Sequence, residues 1–137
     1  MKLANFTDDF RTGDPKVDKQ HEGLFDMVNT LHDAIMKKQG KEVIVPTLEK
    51  LAKYTVEHFA TEEALMRKVN YPEFVAHKKA HEGLTNKAVE IIEGYKSGKI
   101  VLPMTLSRFL ADWLRQHIKG EDKKMIKWVK ANSKLAA

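Results

Sequence analysis

Apolar residues recur at threes and fours along nearly the whole chain, and no strand-like alternation competes with them. Between 18 and 38 one stripe holds His21, Leu24, Phe25, Val28, Leu31, His32 and Ile35. Between 44 and 68 a second holds Leu48, Leu51, Tyr54, Thr55, His58, Glu62, Leu65 and Met66. QGK (39–41), VNYP (69–72) and KSGKIVLP (96–103) break the pattern into four helices. Pro72 is expected in the first turn of the third helix, and the fourth is expected from about Pro103 to about 119, with an extension to 131. Four long amphipathic helices on short loops predict an all-α, up-down-up-down four-helix bundle. Thr12-Gly13-Asp14-Pro15 supplies turn chemistry in an irregular N-terminal arm. The expectation is therefore one domain over 1–137, with the arm at 1–17 and the bundle at 18–131.

The polar residues embedded in these stripes carry the functional signal. His58 with Glu62, and His77 with His81, are one turn apart, so each pair leaves one face of its helix. With breaks near 40, 70 and 100, His21 lies about 19 residues before the first and the His58/Glu62 pair about 20 after it. That pair lies about 10 before the second break, and His77/His81 about 9 after. The latter pair is about 21 before the third break, which His117 and Asp122 follow by about 17 to 22. At a rise of about 1.5 Å per residue, antiparallel helices bring all these groups to one level. Their neighbours are apolar: Leu51, Tyr54 and Leu65 around His58, and Leu110, Trp113 and Leu114 around His117. Buried without partners, such groups would cost several kcal/mol each.

A pair of metal ions would satisfy them. Five imidazoles, two bridging carboxylates and a bridging oxide or hydroxide fill eleven of the twelve positions of two octahedra, leaving one seat for a small ligand. An octahedral nitrogen and oxygen environment suits iron, whereas zinc normally settles with four ligands. His117 and Asp122 pose a difficulty, because five residues of ideal helix turn through about 500° and leave them about 140° apart. Gly120, between them, is expected to permit a kink or π-like turn.

Composition narrows the remaining classes. The chain has no cysteine, which excludes disulfides, thiolate metal sites and thiol nucleophiles. Its net charge of +5 comes from lysines scattered among acids with no nucleic-acid motif, so a solvated surface is expected rather than a nucleic-acid partner. No segment is apolar enough to span a bilayer and the first residues lack a signal-peptide stretch, so no membrane partner and a cytoplasmic address are expected.

VDKQH (17–21), HFATEEALM (58–66), YPEFVAHKKAHEGL (71–84) and DWLRQHIKGED (112–122) cover all four helices, and together they resemble the hemerythrin family, in its single-domain bacterial form. The resemblance implies reversible dioxygen binding at a non-haem di-iron centre, for oxygen storage, delivery or scavenging, in a monomer. It implies that His77, His81 and His117 hold one iron, and that His21 and His58 hold the other, which keeps the open position. Glu62 and Asp122 would bridge the two together with an oxo or hydroxo group. Oxygen would bind the five-coordinate iron as hydroperoxide, taking its proton from the bridge. Leu24, Phe59, Trp113, Leu114 and Ile118 would form the apolar oxygen pocket.

An oxygen-binding protein is expected rather than an enzyme. The alternative is a di-iron redox enzyme or sensor (a peroxidase, an oxidase or a nitric oxide reductase) using the same open iron. Phe6 stands where many relatives carry tryptophan, and Lys119 is expected to wet one edge of the pocket. His32 is expected to be a neutral, hydrogen-bonded core residue, and Tyr54 a core aromatic.

Overall fold

The computed structural model describes residues 3–99 and 105–132. Its helices are α1 (Pro15–Met36), α2 (Lys41–Lys68), α3 (Phe74–Lys96), α4 (Thr105–His117) and α5 (Lys123–Ala131). A π-turn, Ile118–Asp122, joins α4 to α5, so the three pieces form one long fourth rod. α1 packs on α2 and α4, and α2 packs on α3, as an up-down-up-down bundle requires. The expected helix start at Pro103 lies outside the described residues. Among the described residues, no helix is long and apolar enough to cross a membrane.

Two helix starts differ from the sequence expectation. α1 begins at Pro15 rather than 18, because Asp14 is a cap as well as a turn residue. Its carboxylate accepts the Val17 N–H at 3.0 Å, and Pro15 takes the first helical position, where a missing N–H costs nothing. The third helix starts at Phe74, leaving Pro72 in the turn before it. Asn70, in the left-handed region at φ 52°, ends α2, and Phe74 N–H bonds to Tyr71 C=O at 3.2 Å to close the turn.

The arm is irregular apart from a 3₁₀ turn at Asp8–Phe10, and it is fastened along its length. Phe6 and Phe10 meet Phe25 edge-on at 5.5 and 5.1 Å. The Asn29 amide accepts from Ala4 N–H at 2.8 Å and donates to Ala4 C=O at 2.7 Å. Asp18 accepts from the Thr12 N–H and hydroxyl, both at 2.7 Å, and from Gly13 N–H.

The core consists of two apolar clusters. The larger includes Leu24, Phe25, Val28, Leu31, Leu114 and Ile118; the smaller is Val17, Met66, Tyr71, Met125 and Ile126. Along α1, α2 and the fourth rod, the buried histidines and carboxylates fall between the two. A largely apolar cavity of about 450 Å³ also opens between α2, α3 and α4, lined in part by Leu51, Leu84, Ile92, Leu106 and Leu110. None of the seven polar groups lines it.

The π-turn falls where the His117–Asp122 spacing demanded one, yet Gly120 is not what permits it. The backbone at Gly120 is not left-handed, and an added Cβ would meet nothing within 4 Å. Gly120→Ala is therefore expected to keep the turn and to raise stability by about 0.5–1 kcal/mol. Chemical denaturation of the metal-free protein measures this, and a destabilised variant would restore a conformational role for the glycine.

Candidate metal centre

The polar layer is built one helix at a time. α1 contributes His21, α2 contributes His58 and Glu62 from successive turns, and α3 contributes His77 and His81. His117 closes α4, and Asp122 closes the π-turn. All seven side chains are buried, with Glu62 and His21 fully so. Each imidazole turns Nε2 inward toward Glu62, Asp122 or both.

The carboxylates divide their oxygens between two sets of histidines. Glu62 Oε2 lies 3.1 Å from His21 and 2.9 Å from His58, while Oε1 lies 3.0 Å from His81 and 3.4 Å from His77. Asp122 Oδ2 lies 2.9 Å from His21, while Oδ1 lies 3.0 Å from His77 and 3.1 Å from His117. Two overlapping groups result: Glu62, His77, His81, His117 and Asp122, and His21, His58, Glu62 and Asp122. Within each, one ligand atom per residue lies within 4.8 Å of all the others.

Protein hydrogen bonds alone leave this layer unsatisfied. Both Asp122 oxygens, Glu62 Oε1 and His77 Nε2 are buried without a hydrogen-bond partner. His81 and His117 bring their Nε2 atoms to 3.2 Å of each other, while their Nδ1 atoms face Glu63 at 3.1 Å and Glu121 at 3.2 Å. Only the His81 Nδ1 contact is a hydrogen bond, and His117 Nδ1 is buried without one. The two inward Nε2 atoms can sit this close only with a proton or a cation between them. Inward lone pairs of nitrogen with two split carboxylates form a donor set suited to a pair of iron-like ions.

Without metal, protons take that role. Burial disfavours the imidazolium of His21 and of His77, but the adjoining Asp122 and Glu62 carboxylates outweigh it and raise both from 6.5 to about 9. His117 is raised against its burial by Asp122 in the same way. Burial pushes Glu62 up, but bonds from His21, His58, His77 and His81 hold it well below its ordinary range. The histidines' folded values exceed their unfolded ones, so their stabilisation is complete below 6.5 and is lost as pH rises through about 9.

The metal-free protein should therefore melt at lower temperature as pH rises across that window. Metal uptake near pH 7 should expel protons from His21 and His77, and a further share from His117. A dye-monitored titration in weak buffer checks the second effect, and uptake without proton release would contradict it.

The residues expected to line an oxygen pocket lie beside this layer. Phe59 stacks on His81 with ring centroids 3.7 Å apart, and Trp113 stacks on His117 at 4.4 Å. Leu24, Leu114 and Ile118 are buried in the larger apolar cluster. Lys119 corrects an expectation: its ammonium sits over the Phe10 ring at 4.8 Å, against the arm, so it does not wet the pocket. His32 stays outside the layer, with Nδ1 2.7 Å from Ser107 Oγ on α4. Tyr54 is half-buried in the larger cluster, close to Gly23. Sequence reasoning missed Gln20, Glu63 and Glu121, which contact the outer nitrogens of His58, His81 and His117.

Comparison with known proteins agrees with this geometry. Residues 12–129 match the family described as "Hemerythrin HHE cation binding domain". The chain is 36% identical to a bacteriohemerythrin from Methylococcus capsulatus over 90% of its own length and 94% of that protein. It is 32% identical to a myohemerythrin from Theromyzon tessulatum over 78% of each. A crystal structure of wild-type hemerythrin superposes with a TM-score of 0.84 at 34% identity, covering 98% of this chain and 99% of that one.

Proposed function

This chain belongs to the hemerythrin family, and on that premise we propose that it binds dioxygen reversibly at a non-haem di-iron centre, for oxygen storage, delivery or scavenging. One observation carries the reading: Glu62 and Asp122 each aim one oxygen at one set of histidines and the other oxygen at the second set. Carboxylates so placed are bridges in waiting. His77, His81 and His117 would hold one iron, and His21 and His58 the other. The bound pair supplies redox electrons and, on the two-histidine side, a coordination seat for a small ligand.

The chain's own residues then govern access and dryness. Leu24, Phe59, Leu114 and Ile118 are almost wholly buried and keep bulk water from the ligand seat, and Trp113 and Phe59 brace the imidazoles they stack on. These pocket residues include no acid or base to drive turnover, which supports a carrier over an enzyme. A cytoplasmic monomer completes the proposal; the net charge of +5 on a surface of mixed sign supports the monomer.

The test is reconstitution with ferrous iron under anaerobic conditions, followed by cycles of oxygen addition and removal. A visible charge-transfer band that rises with oxygen and falls without it, over repeated cycles, is the expected result. Irreversible bleaching with steady consumption of a reductant would establish the enzyme instead, and failure to take up iron would overturn both.

A further inference from the structure

The two metal seats share Glu62 and Asp122, yet their surroundings are unequal. On the three-histidine side, the outer nitrogen of His81 is hydrogen-bonded to the Glu63 carboxylate at 3.1 Å, and that of His117, though it makes no hydrogen bond, lies 3.2 Å from the Glu121 carboxylate. On the two-histidine side, the outer nitrogen of His58 faces the neutral amide of Gln20 at 2.6 Å, and that of His21 is buried without a partner. The orientation of Gln20 follows from its neighbours. The Thr61 hydroxyl donates to Glu57 C=O at 3.2 Å and so is free to accept the Gln20 N–H at 3.3 Å, which leaves the amide oxygen facing His58.

This difference alters what each imidazole offers a cation. A carboxylate that accepts Nδ1–H draws on that proton and makes Nε2 a stronger electron donor, and it adds negative charge near the seat. An amide oxygen orients the ring with no net charge. Glu63 should dominate, because its side chain is 15% exposed, whereas that of Glu121 is 51% exposed and more fully screened by solvent.

We propose that Glu63, assisted by Glu121, is a positioning residue that makes the three-histidine seat the tighter one, so that the chain loads its metals in order, that seat first and the Gln20-backed seat second. The inference rests on the two-metal reading above. It extends that reading to how the centre assembles and which metal leaves first.

Titration of the metal-free chain with cobalt(II) tests the order, with the paramagnetically shifted imidazole protons as the site-resolved readout. At one equivalent, resonances from His77, His81 and His117 should appear ahead of those from His21 and His58. Glu63→Gln, which is nearly isosteric, should weaken the first step 10–100-fold and leave the second within about threefold. Gln20→Glu should act oppositely and tighten the second step about tenfold. A merely structural role would shift both steps together in either variant. Such parallel shifts, or simultaneous filling of the two seats in the unaltered chain, would overturn the proposal while leaving the two-metal reading intact. Saturation below two metal ions per chain would instead remove the underlying reading.

Discussion

Asp122→Ala is expected to yield a chain that retains at most one metal ion and shows no oxygen-dependent visible band. Asp122 is buried, with Oδ2 at 2.9 Å from His21 and Oδ1 at 3.0 and 3.1 Å from His77 and His117. Truncation removes a ligand from both seats and leaves three imidazoles with Glu62 as their one remaining carboxylate in the layer. In the metal-free state the same change strips His21 and His77 of the carboxylate that helps keep them protonated to about pH 9. Breaking a buried ion pair costs about 3–5 kcal/mol, so the metal-free variant should also melt well below the parent. Asp122→Asn preserves volume and one carbonyl oxygen, and should recover part of the stability but not the second metal. Iron-to-protein ratios and thermal melts measure both effects. Two ions per chain in Asp122→Ala would refute the bridging role.

The second large effect concerns the π-turn, which amounts to one residue more than an α-helix would use. Deleting Gly120 should restore a regular helix and bring His117 and Asp122 four residues apart. They would then lie about 40° from each other on one face, as His58 and Glu62 already do. α5 would keep its register, so the variant should still bind two metals. Inserting one alanine after Gly120 should do the opposite. If the added residue is absorbed as helix, Asp122 swings by about 100°, and Met125 and Ile126 swing out of the smaller apolar cluster with it. Uncovering two fully buried large side chains costs about 1.5–3 kcal/mol each, on top of the lost ligand. Metal stoichiometry and chemical denaturation compare the pair. Equal damage from deletion and insertion would mean that the five-residue spacing itself is required.

Much of this is legible in the sequence. Period and break positions placed four helices, and counting residues from each break set seven polar groups at one height. The angular mismatch between His117 and Asp122 called for a departure from α-helix, and the π-turn at Ile118–Asp122 is that departure. What escaped has physical causes. Asp14-Pro15 reads equally as a turn and as a cap followed by a first helical residue, so α1 started earlier than expected. Pro72 fits a first helical turn, but Asn70 in the left-handed region pushes the start to Phe74. Lys119 was misjudged because its direction depends on how the π-turn rotates it toward Phe10. Gln20 and Glu63 support histidines on other helices, a relation with no local spacing; Glu121, four residues after His117, carried a signal that could have been read.

The seven converging groups run from position 21 to position 122, so the donor set does not exist in the unfolded chain. Metal therefore binds the native state far more tightly than the unfolded chain and stabilises it by mass action, by up to about 2.7 kcal/mol when free ion stands at a hundred times its dissociation constant. Thermal stability becomes a gauge of free iron: as the ion is depleted, the four rods lose their shared tether and the population of unfolded chain rises.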